Sequence, residues 1–176
     1  SKSTVSKALN NYADVSPSTR KKVQDLADTL NYKPNISAQN LRSQESKIIG
    51  LLIPEIVHYF FSTIISGVTE TAEKYGYSVI VAQTKDDYKS EIKQLELLLD
   101  KNVDGILLSL ADNTIQFNHV KDVINQGVPF VLYDRTSKLI DCNKVVIDDV
   151  KAAQMATQHL IDTGCKKIAI IRNQLK

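Results

Sequence analysis

Aromatic side chains and an acid–base pair follow apolar runs in this sequence, where they could bind a small polar ring. The segment PEIVHYFF (54–61) follows the first apolar run, and DRTS (134–137) follows a later one. Aromatic faces beside a carboxylate and a guanidinium suit a sugar or a nucleobase. The predicted binding residues include His58, Phe60, Phe61, Asp134 and Arg135, with Tyr59 beside them. Packing beneath the first helix of the body stays an equal alternative for the two phenylalanines, whereas ligand contact is favoured for the aspartate.

The spacing typical of catalysis or metal binding does not accompany these residues. No histidine has a cysteine or second histidine at ligand spacing, and the three are scattered at His58, His119 and His159. Ser109 ends an apolar run but lacks the GxSxG motif of a nucleophile elbow. The acidic pairs at 86–87 and 148–149 precede helical patterns, where capping explains them more simply than acid–base chemistry. We therefore predict a binding protein without catalytic residues, metal or cofactor.

Composition limits the class of protein further. The chain has 176 residues, of which 43% are hydrophobic and 24% charged, and its formal net charge is +2. These values exclude a collagenous chain, a disulfide scaffold and a largely disordered protein. No apolar run reaches the roughly 18 residues that span a bilayer. Cys142 and Cys165 are too far apart for a CxxC motif, so reduced structural thiols are expected.

The near-neutral total conceals an uneven distribution of charge. Residues 1–47 contain eight Lys and Arg against four Asp and Glu, which gives +4. The remainder contains 14 basic and 16 acidic residues, which gives −2. A basic arm on a mildly acidic body indicates an anionic partner, either nucleic acid or a membrane surface. A solvated helical face is the alternative that charge alone favours.

The basic arm has the pattern of short helices. An apolar residue recurs every three or four positions in STVSKALN, with Ser1 or Ser3 available as the N-cap. Ser16-Pro17 is a helix-start signal, and the apolar stripe after it ends near residue 30. The segment NISAQNLRS (35–43) is short and only weakly apolar. Because two such helices bury little apolar surface, we expect a further helix before Ser1.

The body alternates between strand and helix patterns. Strands are predicted at 47–54, 78–84, 105–110, 128–134, 144–148 and 166–171, and helices at 61–75, 88–101, 114–126 and 149–163. The last helix is expected to bury Ala152, Ala153, Ala156 and Leu160. This order predicts an α/β fold with a doubly wound parallel sheet, in which ligands bind at the carboxyl ends of the strands. No GxGxxG or GxxxxGK[ST] motif is present, so a nucleotide fold is not supported.

Four motifs in this order and spacing carry a family resemblance. They are STVSKALN, VSPSTRKKV, LNYKPNISAQNLRS and IIGLLIP, with HLIDTGCKKIAII later in the chain. The chain resembles the lactose-repressor (LacI/GalR) family of bacterial transcription regulators. The resemblance implies a partial helix-turn-helix head over 1–33, a hinge helix and linker over 34–46, and an incomplete N-terminal subdomain of a periplasmic-binding-protein-like core over 47–176. It also implies a fragment lacking the first head helix and the C-terminal core subdomain.

The resemblance assigns roles to individual residues. The DNA-binding residues would lie in the recognition helix and the hinge: Lys2, Ser3, Thr4, Ser6, Lys7, Asn35, Ala38 and Leu41. The lysine and serine at the helix start would face base edges, while Leu41 would wedge into a base step of the minor groove. The effector-binding residues would be His58, Phe60, Phe61, Asp134 and Arg135, with Phe61 stacking on a ring.

The implied partners are operator DNA, a small-molecule effector that is most simply a sugar, and a second copy in a homodimer or tetramer. The implied location is the cytoplasm, on the nucleoid. Poor operator binding is expected of this chain alone, because the first helix of the head is missing. A periplasmic-type sugar-binding module without DNA activity is the alternative, although the basic arm argues against it. An enzyme on a flavodoxin-like sheet is a further one, which fold alone does not exclude.

Overall fold

A computed structural model describes residues 1–32 and 45–171 of the chain. The chain forms two compact units, Ser1–Ser46 and Lys47–Lys176, which are described separately. The predicted hinge residues Asn35, Ala38 and Leu41 lie outside the described residues.

The first unit contains helix α1 (Lys2–Leu9) and helix α2 (Pro17–Thr29). Ser1 caps α1, since its hydroxyl accepts a hydrogen bond from the Thr4 amide at 3.3 Å. Ser16 caps α2 in the same way, and Pro17 occupies the first helical position as predicted. Both helices therefore begin where short polar side chains satisfy their free amides.

Little apolar surface is buried in the first unit. Ala8 and Val15 are buried, but Leu26 on α2 is 59% exposed and Leu30, which follows that helix, is 67% exposed. No residue of α2 is fully buried. The stripe that the sequence predicts on α2 is thus present but only partly covered among the described residues. This agrees with the expectation that two short helices make only a small core.

Arg20 forms hydrogen bonds with the turn that connects the two helices. One guanidinium nitrogen donates to the Tyr12 carbonyl at 2.8 Å and to the Val15 carbonyl at 3.3 Å. Both carbonyls lie in the turn between α1 and α2. A partly buried cation bonded to two backbone oxygens stabilises such a turn more than an exposed ion pair does.

We expect Arg20→Ala to destabilise the first unit by about 1 to 3 kcal/mol, because two charge-assisted hydrogen bonds are lost. The measurement is thermal unfolding monitored through the NMR signals of Ala8 and Val15. Lys21→Ala is the matched control, since it removes one positive charge from an exposed position on the same helix. Equal stability of the two variants would show that the arginine bonds contribute nothing.

The second unit is a five-stranded sheet flanked by helices. Its strands are β1 (Ile48–Ile53), β2 (Ser78–Gln83), β3 (Gly105–Leu108), β4 (Phe130–Tyr133) and β5 (Asn143–Val145). Its helices are α3 (Tyr59–Lys74), α4 (Tyr88–Asp100), α5 (Asn118–Asn125) and α6 (Asp149–Asp162). All pairs are parallel and the order is β2-β1-β3-β4-β5. The predicted α/β fold with a parallel sheet is confirmed.

Alternating side chains of the strands build a core on each face of the sheet. On one face Leu52, Leu108 and Leu132 pack with Leu95 and Leu98 of α4. On the other face a second cluster forms beneath α3, and it contains Leu51, Ile53, Phe61 and Tyr133 with the partly buried Ile64, Ile65 and Val68. The near-continuous apolar character of β1 follows from this burial on both sides.

Three predictions about the body are wrong. Helix α5 begins at Asn118 rather than 114, because residues 111–114 form a loop bonded to α4. Residues 166–171 form no strand, since they make no ladder with any described strand. Helix α6 has nearly the predicted bounds but every residue of it is exposed, including the four expected to face inward, which are Ala152, Ala153, Ala156 and Leu160.

Candidate functional site

The carboxyl ends of β1, β2, β3 and β4 bring four loops to one edge of the sheet. These loops comprise residues 54–58, 84–87, 109–117 and 134–142. All three segments that the sequence predicts for this edge, at 54–61, 85–88 and 134–137, are found there. Ligands bind at this edge in open parallel sheets because loop side chains converge there while the strand ends stay rigid.

The two predicted phenylalanines have different surroundings. Phe61 is 5% exposed and packs in the cluster beneath α3, whereas Phe60 is 45% exposed. Their rings meet edge to face with centroids 5.1 Å apart. His58 approaches Phe61 in a similar geometry at 6.0 Å. The packing alternative thus describes Phe61 in this structure, and Phe60 is the more exposed of the two phenylalanines.

Asp134 stands at the end of β4 with its backbone in the left-handed region, at φ +57°. Its carboxylate accepts a long hydrogen bond from the buried hydroxyl of Ser109 at 3.4 Å. Its amide donates to the Val145 carbonyl of the neighbouring strand. An aspartate adopts this backbone more readily than most residues, and the turn leaves its side chain exposed. This geometry suits a carboxylate that accepts hydroxyl protons from a ligand.

Arg135 forms an ion pair with Asp86 of the loop after β2. The same Asp86 oxygen accepts the Asp112 amide of the loop after β3, at 2.8 Å. Three loops therefore meet at a single carboxylate. The sequence suggested capping for both residues of the 86–87 pair, but only Asp87 caps α4, by accepting the Ser90 amide at 2.9 Å. That bond is the main reason why the pKa of Asp87 is lowered.

Residues 111–114 connect this edge to the interior. Asn113 accepts the Tyr88 amide through its side-chain oxygen at 2.7 Å. Ala111 donates its amide to the Glu91 carboxylate at 2.6 Å. Sequence reasoning missed Glu91, although one signal was present. Glu91, Leu95 and Leu98 share one helical face, and a charge on an apolar face must find hydrogen-bond donors when buried.

Tyr133 is a further polar group close to the edge. It is buried, and its hydroxyl donates to the Leu52 carbonyl at 2.9 Å, which ties β4 to β1 across the intervening strand. Burial, together with the charge of Asp134, raises the pKa of the phenol. Tyr133 therefore stays protonated, and its hydrogen bond to the Leu52 carbonyl fixes the end of β4 that directly precedes Asp134.

In the first unit, the residues predicted for the recognition helix lie within α1. Ser3 and Thr4 are exposed, and their hydroxyls lie 2.7 and 3.0 Å from the Ser1 hydroxyl. Lys7 pairs with Asp14, and this interaction lowers the pKa of the aspartate. Ser6 is half-buried, and Lys2 is the first helical residue. A helix N-terminus bearing exposed hydroxyls is chemically suited to phosphate and base contact.

Among residues 1–32 and 45–171, no three acidic, histidine or cysteine side chains are grouped so that they could hold a metal ion. Within the same ranges, no helix has both the length and the apolar character needed to cross a membrane.

The fold and this edge define a class, that of parallel α/β ligand-binding domains joined to a small helical head. The model of the family "periplasmic binding proteins and sugar binding domain of LacI family" matches residues 46–175. That of "bacterial regulatory proteins, lacI family" matches residues 1–35. The chain belongs to the LacI family.

Curated relatives resemble the chain along its whole length. Catabolite control protein A of Priestia megaterium is 34% identical over 176 residues, which are 100% of this chain and 52% of that protein. The ribose operon repressor of Haemophilus influenzae is 35% identical over 100% of this chain and 52% of its own length. The chain therefore spans about half the length of these relatives. Both are regulators by name rather than enzymes.

Solved structures show the same fold. A lac repressor dimer bound to operator and the anti-inducer ONPF superposes with a TM-score of 0.80 at 24% identity, covering 93% of this chain and 49% of that chain. The transcription regulator CcpA of Lactococcus lactis superposes with a TM-score of 0.60 at 34% identity, covering 69% of this chain and 44% of that chain.

Proposed function

We propose that this chain is part of a sequence-specific DNA-binding transcription regulator, acting as a repressor, whose operator affinity is controlled by a small-molecule effector. The observation that carries the proposal is the presence in one chain of a capped two-helix unit and a parallel sheet with polar side chains at its carboxyl edge. Family membership over both parts and the names of the relatives support it. The alternative, a periplasmic-type binding module without DNA activity, does not explain the presence of the first unit.

Helix α1 is the proposed recognition element. Its N-terminal residues Lys2, Ser3 and Thr4 would contact base edges and phosphates, with Ser6 and Lys7 on flanking positions. The proposed hinge residues Asn35, Ala38 and Leu41 would contact the minor groove. The proposed assembly is a homodimer or a tetramer, because two heads would contact the two half-sites of an operator. The proposed location is the bacterial nucleoid.

A sugar is the proposed effector. The exposed Phe60 side chain could pack on a sugar ring. The exposed Asp134 carboxylate could accept hydrogen bonds from the sugar hydroxyls. Arg135 could donate to a ring or hydroxyl oxygen from the nitrogens that do not face Asp86. Phe61 stays a predicted effector residue that in this structure would act by supporting Phe60 and His58.

Operator selection from a random DNA library tests the DNA-binding part of the proposal. The protein expressed from its complete coding sequence should enrich a pseudo-palindrome, and the logarithm of its affinity should fall steeply and linearly with the logarithm of salt concentration. Sugar binding measured by calorimetry should barely respond to salt. Enrichment of no sequence, together with tight sugar binding, would instead support the binding-module alternative.

A further inference from the structure

A buried carboxylate lies behind the candidate site and takes no part in it directly. Glu91 on α4 is fully buried. It accepts the Ala111 amide at 2.6 Å on one oxygen. Its other oxygen accepts the Thr114 hydroxyl at 3.0 Å and lies 2.8 Å from His119 Nε2. A carboxylate in this environment is tolerated only because three donors replace its water shell.

His119 supplies one of these donors from the first turn of α5. Its side chain is 8% exposed, and its ring meets the Tyr88 ring edge to face at 5.3 Å. Within the described part of the chain, the other ring nitrogen, Nδ1, is buried without a hydrogen-bond partner. Among the described residues, the imidazole thus has a single hydrogen-bond partner, which is Glu91. Burying Nδ1 without a hydrogen bond costs free energy. That cost is explained if the histidine serves to hold the Glu91 carboxylate in place.

The loop that Glu91 holds is the one that organises the binding edge. Residues 111 and 114 bond to Glu91, while the two residues between them face the edge. Of these, Asp112 donates its amide to Asp86, and Asn113 accepts the amide of Tyr88. Asp86 in turn pairs with Arg135. Hydrogen bonds on either side of the 111–112 peptide link therefore connect the buried glutamate to the guanidinium of Arg135.

We infer that Glu91 and His119 are positioning residues of the effector site, which fix the 111–114 loop and through it the Asp86–Arg135 pair. The inference rests on the proposed function, because it concerns the same binding edge. Loss of the histidine donor leaves the buried carboxylate short of one bond. The loop then gains freedom, and the guanidinium loses its fixed direction toward a ligand.

Two substitutions at His119 separate positioning from simple packing. Gln places an amide nitrogen near the Nε2 position and keeps the donor, so His119→Gln is the conservative control. Phe keeps the ring and its edge contact with Tyr88 but removes the donor. We expect amide exchange of Ala111, Asp112 and Tyr88 to be about tenfold faster or more in His119→Phe and close to wild type in His119→Gln. The 176-residue chain has a mass of 19.6 kDa, which suits amide-resolved NMR.

Three results would overturn the inference. Unchanged exchange at all three amides means that the histidine holds nothing. Faster exchange at Ala111 alone means that the loop is held without control of the edge. Equally faster exchange in β1 means that His119 acts on the stability of the entire sheet.

Sugar titrations keep this test separate from the proposed function. With D-ribose as the probe, and the protein from its complete coding sequence, we expect about tenfold weaker binding for His119→Phe and little change for His119→Gln. Wild-type affinity in the Phe variant would contradict the positioning role. If the wild type binds neither D-ribose nor any other sugar of a panel, the proposed effector class fails, while the exchange data still decide whether the loop is held.

Discussion

Asp134→Asn should weaken effector binding by about 100-fold while leaving the sheet folded. The substitution removes the charge that strengthens hydrogen bonds from sugar hydroxyls, and such bonds contribute about 1.5 to 3 kcal/mol each. A neutral acceptor contributes about 0.5 to 1.5 kcal/mol, so losing the charge costs about 1.4 kcal/mol per bond, which is a factor of ten, and two such bonds account for the expected loss. The Ser109 hydroxyl can still donate to the asparagine oxygen, so the side chain keeps its place. Calorimetric titration of both proteins with the sugar that binds the wild type measures this change in affinity.

Asp141→Asn is the control for this prediction. Asp141 is an exposed acid in the same connection after β4, so its replacement changes the net charge equally. We expect its sugar affinity to stay within about twofold of wild type. If Asp134→Asn binds the sugar within threefold of the wild-type affinity, Asp134 is not an effector-binding residue.

Lys2→Ala should weaken operator binding by about 10- to 100-fold. The residue begins α1, and the N-terminal residues of a recognition helix are the ones that contact base edges or phosphate. A specific base contact contributes about 1 to 3 kcal/mol, whereas a phosphate contact lowers the salt slope by about one. Fluorescence anisotropy of a selected operator at several salt concentrations distinguishes these two roles.

Lys74→Ala is the matched control for the operator measurement. Lys74 ends α3 in the second unit and is exposed, with Glu70 as its ion-pair partner. Its loss removes the same charge from a surface outside the proposed recognition helix, and we expect no more than a twofold effect. If both variants bind operator equally, the contribution of Lys2 is only that of net charge.

Strand and helix order followed directly from the sequence, because buried parallel strands read as apolar runs and helices as 3.6-residue stripes. The runs that became β1 and β2 and the stripe on α3 have close to the predicted bounds. Capping signals were equally informative, since Ser16-Pro17 and Asp87 depend only on neighbouring amides. Local patterns with local partners are therefore readable from the sequence alone.

Predictions that needed a distant partner were less reliable. The run at 166–171 is apolar enough for a strand, but a strand also requires a neighbour to pair with. The alanine stripe on α6 predicted an inward face, yet a stripe does not specify the surface that covers it. Phe60 and Phe61 were equal candidates from the sequence, and only the packing beneath α3 distinguishes their environments.

The candidate site was only partly visible in the sequence for the same reason. Asp134 and Arg135 could be placed because each strand end specifies its own loop. The Asp86–Arg135 pair and the Asp112 amide bond join three loops across 49 and 26 positions of the chain, which no local pattern encodes. Glu91 left a trace, as a charge on an apolar helical face, but its partners at 111, 114 and 119 became clear only from the folded chain.

Coupling between the two units is the central claim, and one titration tests it most directly. The protein expressed from its complete coding sequence is titrated onto a fluorescent selected operator, with and without a saturating concentration of its sugar, at fixed salt. The account predicts that the sugar changes operator affinity by about 5- to 150-fold, the range of a typical coupling free energy, and that operator changes sugar affinity by the same factor. Identical operator affinity with and without bound sugar would contradict an effector-controlled regulator.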